Sequence, residues 1–159
     1  MTRLFRFIRY LQFIFIVYSK GGFVSPLASI IIFEGADFKI SSKVRIYRHT
    51  RIVLAKNSFL SIGPSCLINP MSTILVRAHV TIGARVKIAH LCTIVDHNYK
   101  FTGINGWSAF SADGISIGDD SILYTSSVIL KGVSLPPFTV IPCLTVVDRS
   151  NFHKFMSSL

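Results

Sequence analysis

Between residues 115 and 147 the chain reads ISIGDDSILYTSSVILKGVSLPPFTVIPCLTVV, and its aliphatic residues fall at Ile117, Leu123, Ile129, Leu135, Ile141 and Val147, unbroken steps of six. Helical faces recur near every 3.6 residues and strand faces every two, so six suits neither a lone helix nor a lone strand. A coil suits it: each short strand points one aliphatic inward, the chain turns, and three such faces close a triangular rung, with rungs stacked ~4.8 Å apart. The inward residues would then form continuous stacks, while Gly, Ser, Asp, Lys and Arg occupy the turns.

Working outward, Ile82, Ile88 and Ile94 form a second series and Ile62, Ile68 and Ile74 a third, with Ile46 and Ile52 further upstream. Between Ile74 and Ile82 the step is eight, which reads as a two-residue insertion at a corner; another slip precedes Leu60 and Ile62. Three Ile-Gly doublets, at 62–63, 82–83 and 117–118, keep register with the repeat. Glycine there would permit the backbone of a tight corner.

At 159 residues, half of them hydrophobic, the chain suits one such domain (26–159) preceded by a short basic segment (1–25). Lys and Arg outnumber Asp and Glu by 17 to 7, which admits an anionic partner. Without a zinc-finger spacing or RNA-binding aromatic motif, nucleic acid is not expected. Cys66, Cys92 and Cys143 are scattered and odd in number, arguing against a disulfide framework or zinc cage and suiting a reducing cytoplasm. His79, His90 and His97 lack a zinc-ligand pattern, so no metal is expected, and His49 and His153 take no role.

The segment RLFRFIRYLQFIFIVYSK (3–20) carries arginines at 3, 6 and 9 before an apolar run from Tyr10 to Tyr18. The run falls short of the roughly 20 residues that span a bilayer, and no small-residue cleavage site follows. It reads as a helix in one of three places: in a membrane interface with its arginines toward anionic headgroups, on a neighbouring subunit, or capping the domain.

The stretches VTIGARVKIAHLCTIVDHNYKF (80–101) and 115–147, with weaker repeats from about Val44, resemble the hexapeptide-repeat acyltransferases, particularly those that O-acetylate sugars of bacterial surface polysaccharides. The resemblance implies an all-β fold, a single-stranded left-handed parallel β-helix, assembled as a homotrimer with active sites between subunits. It implies acetyl-CoA as donor and a sugar or saccharide acceptor; the scattered cysteines and the basic segment 1–20 suit a cytoplasmic setting, at the inner face of the cell membrane where that segment meets it.

Acyl transfer to an alcohol needs a base for the hydroxyl proton and donors for the resulting oxyanion. His97, in Val-Asp-His-Asn-Tyr, stands where the hexads lapse into the excursion NYKFTGINGWSAFSAD (98–113). Loops held on a rigid scaffold carry function disproportionately, and histidine titrates in the useful range. By its match to the family motif His97 would be the catalytic base. Asp96 or Asn98 would orient its ring or bind a sugar hydroxyl, and Tyr99, Phe101 and Trp107 would wall the acceptor site. No Ser or Cys adjoins the histidine, so transfer would be direct, without an acyl-enzyme.

The same family lays CoA along small residues of the later coils, implying contacts at Thr125, Cys143 and Thr145, with Lys131 and Arg149 for its phosphates. This sequence departs from that pattern: Tyr124, Pro136, Pro142 and Leu144 stand where glycines or small residues are usual, and a proline lacks an amide donor. An Asn-Pro-Ala-Lys-like segment of the family is replaced by SNFHKFMSSL (150–159). Those departures support an alternative, a degenerate structural β-helix that has lost CoA binding. A membrane-surface binding module, acting through residues 1–20, is the third reading.

Overall fold

The computed structural model describes residues 3–101 and 107–155. After helix α1 (Arg3–Ser19), three strands make each turn of a parallel β-helix. The first turn holds β1 (Phe23–Val24), β2 (Ser29–Ile32) and β3 (Asp37–Ile40), and the second β4 (Arg45–Ile46), β5 (Arg51–Leu54) and β6 (Phe59–Ile62). The third holds β7 (Leu67–Ile68), β8 (Thr73–Val76) and β9 (His79–Ile82). In the fourth, β10 (Lys87–Ile88) and β11 (Thr93–Val95) are followed by an antiparallel pair, β12 (His97–Phe101) and β13 (Trp107–Ala112), before β14 (Ile115–Ile117). The last strands are β15 (Ile122–Leu123), β16 (Val128–Leu130), β17 (Ser134–Leu135), β18 (Val140–Ile141) and β19 (Val146–Val147), and a 3-10 turn at Phe152–Phe155 follows.

Like strands of successive turns pair in parallel and build three faces: β1-β4-β7-β10-β15-β18 is the first, β2-β5-β8-β11-β16-β19 the second, and β3-β6-β9-β14-β17 the third. The single-stranded all-β coil implied by the repeat is therefore the fold. Its core is the inward column of each face, for example Ile46, Ile68, Ile88, Leu123 and Ile141, all essentially inaccessible. Burying an Ile or Leu side chain in full is worth roughly 1.5–3 kcal/mol, and the column repeats that gain at every turn.

Only the later part of the chain keeps a strict period of six. Aligned strands are 22 residues apart from β1 to β4 and from β4 to β7, 20 from β7 to β10, and 18 from β15 to β18. The eight-residue step is not a corner insertion: β2, β3, β5, β6, β8 and β9 are four-residue strands that each bury two side chains, such as Ile74 with Val76 and Val80 with Ile82. The second and third faces are thus wide in the early turns and narrow later.

The glycine expectation also changes. Gly63, Gly83 and Gly118 do not hold the left-handed backbone; Ser65, Arg85 and Asp120, two residues on, do, with φ of 59°, 55° and 58°. The glycines are required for close stacking instead. A Cβ on Gly63 would lie 2.5 Å from the carbonyl carbon of Gly83, and one on Gly83 would lie 2.7 Å from the amide nitrogen of Asp119. Small buried residues, including Cys66, Ser72, Cys92, Ser121 and Ser127, sit just inside the corners for the same reason of space.

Helix α1 closes the first turn. Phe13 and Val17 are fully buried, the Phe13 ring lies 5.1 Å from that of Phe38, and Arg9 donates to the Ala36 carbonyl at 2.7 Å. No helix among the described residues is long and apolar enough to cross a membrane.

Candidate active site

The candidate site lies where the second face meets the third. In the first three turns the last inward residue of this face is Ile32, Leu54 and Val76, held in register by the ladder. Val95 pairs with Leu75, so the next residue, Asp96, takes the place that Val76 holds one turn earlier. A carboxylate replaces an aliphatic, and it is completely buried.

Burying a carboxylate is unfavourable unless its lone pairs are satisfied. Here Oδ1 accepts the Arg77 amide at 2.8 Å and Oδ2 the Ala78 amide at 2.7 Å, both from the corner of the preceding turn. The third partner is His97, whose Nδ1 lies 3.0 Å from Oδ1. With the Nδ1 proton donated to the carboxylate, Nε2 on the opposite ring edge carries the lone pair. The imidazole keeps 17 % of its surface exposed while its partner keeps none. Such a buried, amide-anchored acceptor fixes both tautomer and ring orientation.

His97 opens β12, and the β12–β13 pair leaves the coil beside it. The excursion is therefore ordered by strand pairing over its described residues: His97 pairs with Ala112 and Tyr99 with Phe110, and the Asp113 amide bonds back to the Asp96 carbonyl at 2.9 Å. Phe110 gathers the aromatic side of the site. Its ring stands 5.6 Å from that of His97 and 4.6 Å from that of Tyr99, and the Arg77 guanidinium lies over it at 3.3 Å from the centroid.

A groove of about 570 Å³ runs from this corner toward the helix end, with Val53, Leu75 and Phe33 on its floor and Arg51, Lys56 and Arg77 around it. A smaller hollow lined by Arg6, Phe33, Glu34 and Lys56 continues it to α1. An imidazole with a free lone pair, an aromatic wall and three cations are the chemical content of this site.

Of the residues singled out from sequence, His97 and Tyr99 line the groove, Asp96 lies behind the imidazole with no exposed surface, and Asn98 is exposed on β12. Trp107 begins β13 and Phe101 ends β12, but both side chains lie outside the described residues. Thr125 and Cys143 are exposed at the corner between the first and second faces, where Thr145 bonds the Cys143 carbonyl at 3.3 Å. Lys131 and Arg149 occupy the other edge of the second face. There Lys131 donates to Ser111 Oγ at 2.7 Å and Arg149 pairs with Asp113 at 3.1 Å, so both pin the return of the excursion to the coil. One chain therefore holds the five residues on two separate edges.

His79 lies on β9 of the third face and His90 at the corner between the first and second, apart from His97. Among the described residues no three His, Cys, Asp or Glu side chains group as metal ligands. Sequence reasoning missed Arg51, Lys56, Arg77 and Phe110, and with them the whole groove.

No protein-family model and no curated protein sequence matches the chain. Solved structures do. The polySia specific acetyltransferase NeuO aligns over 81 % of this chain and 78 % of its own, at 16 % identity and a TM-score of 0.50. A variant of AntD, an N-acyltransferase from Bacillus cereus in complex with dTDP and coenzyme A, aligns over 87 % and 90 % at 15 % identity and a TM-score of 0.51. At these identities the likeness is one of fold: the chain shares the architecture of both acyltransferases.

Proposed function

We propose that the protein is an acetyl-CoA-dependent O-acetyltransferase acting on a saccharide, with His97 as general base. The observation that carries this reading is the imidazole held at Nδ1 by the buried, amide-anchored Asp96 and facing an open groove. Nε2 takes the acceptor hydroxyl proton as the oxygen attacks the thioester carbonyl. Backbone amides stabilise the oxyanion, the C–S bond breaks, and the imidazolium proton passes to the departing thiolate, giving ester and free CoA thiol.

The cations Arg51, Lys56 and Arg77 favour an acceptor that carries carboxylate or phosphate groups. Tyr99 and Phe110 offer apolar area to a sugar ring. NeuO and AntD, whose names place them among acyltransferases, support the same class.

Acetyl-CoA suits the chain as part of a homotrimer. Thr125, Cys143 and Thr145 lie on one edge of the second face and Lys131 and Arg149 on the other, so a single pantetheine site joining them needs edges of two chains. Beside the groove floored by Val53 and Leu75, the outward side of that face carries Ile31, Val95 and Leu130, half-buried aliphatics suited to packing on a second copy.

The test is thiol release from acetyl-CoA with neutral and anionic saccharides. His97→Ala should lose about 10²–10⁴-fold in turnover with unchanged circular dichroism and mass in solution. Retained turnover would remove His97 from the chemistry.

A second reading, a non-catalytic β-helix, is favoured by Leu144 and Tyr124, 81 % and 45 % exposed at the corner where small residues would admit the pantetheine arm. Calorimetry separates the two: no acetyl-CoA binding at about millimolar concentration selects the structural protein.

A further inference from the structure

Helix α1 has two apolar sides, and the coil covers one. Phe13 and Val17 are buried against the first turn, with Tyr10, Ile14 and Ile16 packed beside them. On the far side Leu4, Phe7, Ile8, Leu11 and Phe15 form an arc about 100° wide with no polar member, continued by Tyr18, whose hydroxyl donates to the Val24 carbonyl at 2.9 Å. All six remain between 47 and 72 % exposed. A helix apolar on two sides is a helix with two partners, and the described chain supplies one.

Charge identifies the other. Up to residue 56 the sequence holds ten Lys and Arg against two Asp and Glu; from 57 onward it holds seven against five. Eight of the ten net positive charges thus belong to α1 and the first turns of the coil. Both acids in that part are close to cations: Asp37 pairs with Arg9 at 3.5 Å, and Glu34 lines a hollow with Arg6 and Lys56. Arg3 on the helix, Lys20 at its end, and Lys39, Lys43 and Arg45 in the adjoining turns are exposed, so the apolar arc belongs to a strongly basic end of the chain. A second copy would bring the same positive end against itself, whereas a negatively charged lipid surface complements both the charge and the apolar arc.

We infer that the α1 end of the β-helix docks on anionic phospholipid bilayers, with Leu4, Phe7, Leu11 and Phe15 entering the headgroup boundary and the basic residues of that end pairing with lipid phosphates. This helix lies in the interface plane and does not span it. The groove that holds His97 passes Phe33 and Lys56 to reach Arg6 of the same helix, so docking turns its open end toward the lipid surface. Membrane-borne molecules would meet that end first.

Flotation of the full chain with vesicles tests this. It should rise with phosphatidylcholine vesicles containing about 30 % phosphatidylglycerol and stay behind with phosphatidylcholine alone, and raising salt from about 0.1 to 0.5 M should weaken binding at least ~10-fold. A variant with Leu4→Ser, Phe7→Ser, Leu11→Ser and Phe15→Ser alters only exposed side chains; it should keep the parent dichroism and melting temperature and lose binding by at least ~10-fold. Failure of the parent to float, or floating of the variant as well as the parent, overturns the inference. So does a variant that changes mass in solution while vesicle binding persists, which would assign the arc to a second copy.

Discussion

Asp96 sits at the centre of the proposed chemistry without reaching the acceptor, and replacing it separates its two tasks. Asp96→Ala strips partners from the Arg77 and Ala78 amides, which hold its oxygens at 2.8 and 2.7 Å in a site closed to water. Each unpaired buried donor costs about 1–3 kcal/mol, so the variant should lose roughly 2–6 kcal/mol, a fall of about 5–20 °C in melting temperature at this chain length. Asp96→Asn keeps one acceptor oxygen and should lose about half as much. Its effect on turnover should be larger than its effect on stability. An amide cannot accept from both corner N–H groups and from Nδ1, so the imidazole is released from the tautomer that leaves Nε2 basic, and kcat should drop about 10²–10⁴-fold. Thiol release measured well below the melting temperature, with scanning calorimetry on the same samples, checks both. A purely structural role predicts lost folded protein with normal kcat per folded chain and an unmoved pH profile. A positioning role predicts unchanged KM for acetyl-CoA, reduced kcat and a displaced lower limb of the pH–rate profile. An Asp96→Asn protein with parent kcat and parent melting temperature would refute the reasoning outright.

The close stacking at the corner between the third and first faces predicts that Gly83→Ala, whose Cβ would meet the Asp119 amide nitrogen at 2.7 Å and the Gly118 carbonyl carbon at 2.9 Å, costs about 1–3 kcal/mol, seen as a lower melting temperature. At the same corner Arg85 grips Asp120 at 2.7 and 2.6 Å and holds its carboxyl below the ordinary value of 3.8. A depressed folded-state pKa contributes stability that is present above 3.8 and lost as pH falls through the folded value, so Asp120→Asn should lower the melting temperature at pH 7 and have no effect near about pH 2. Burial pushes the Cys66 thiol up to about 11 and Cys92 is equally enclosed, whereas Cys143 is exposed. Ellman's reagent should therefore titrate one thiol in the folded chain at about pH 8 and all three in denaturant; three in the folded chain would contradict the packing.

The coil was legible because its physical requirement is repeated and local. Each turn must bury an aliphatic on each face, so Ile117, Leu123, Ile129, Leu135, Ile141 and Val147 declare the period wherever each face buries one residue. The upstream turns obscured it. Each wide strand buries two residues, as Ile52 does with Leu54, and this inserts the pairs of residues that read as slips. The corner glycines were found for the wrong reason: a doublet does not distinguish a backbone angle from a neighbour 2.5 Å away, because the neighbour belongs to another turn.

His97 stood out through its motif; of the tasks expected of Asp96 or Asn98, the complete burial of Asp96 is compatible with contact to the ring and not with contact to a sugar. What no motif held was the groove. Its members come from four turns, as short runs such as 51–56, 75–77 and 97–99 that stand about 20 residues apart in the sequence. They nevertheless share one arithmetic: Phe33, Ala55, Arg77 and His97 stand 22, 22 and 20 residues apart, the same steps that separate β1, β4, β7 and β10. Ile31, Val53, Leu75 and Val95 repeat them on the outward side of the second face, and Arg51 aligns with Thr73 and Thr93. A period of six names which residues point inward, and it places successive inward residues on different faces. The period of the full turn names which residues lie side by side on the outside, where chemistry happens. In a solenoid the first period specifies the fold and the second what lies side by side on its surface, and an aliphatic column interrupted by a carboxylate, Ile32, Leu54, Val76 and then Asp96, is the signal in the second period that marks the proposed site.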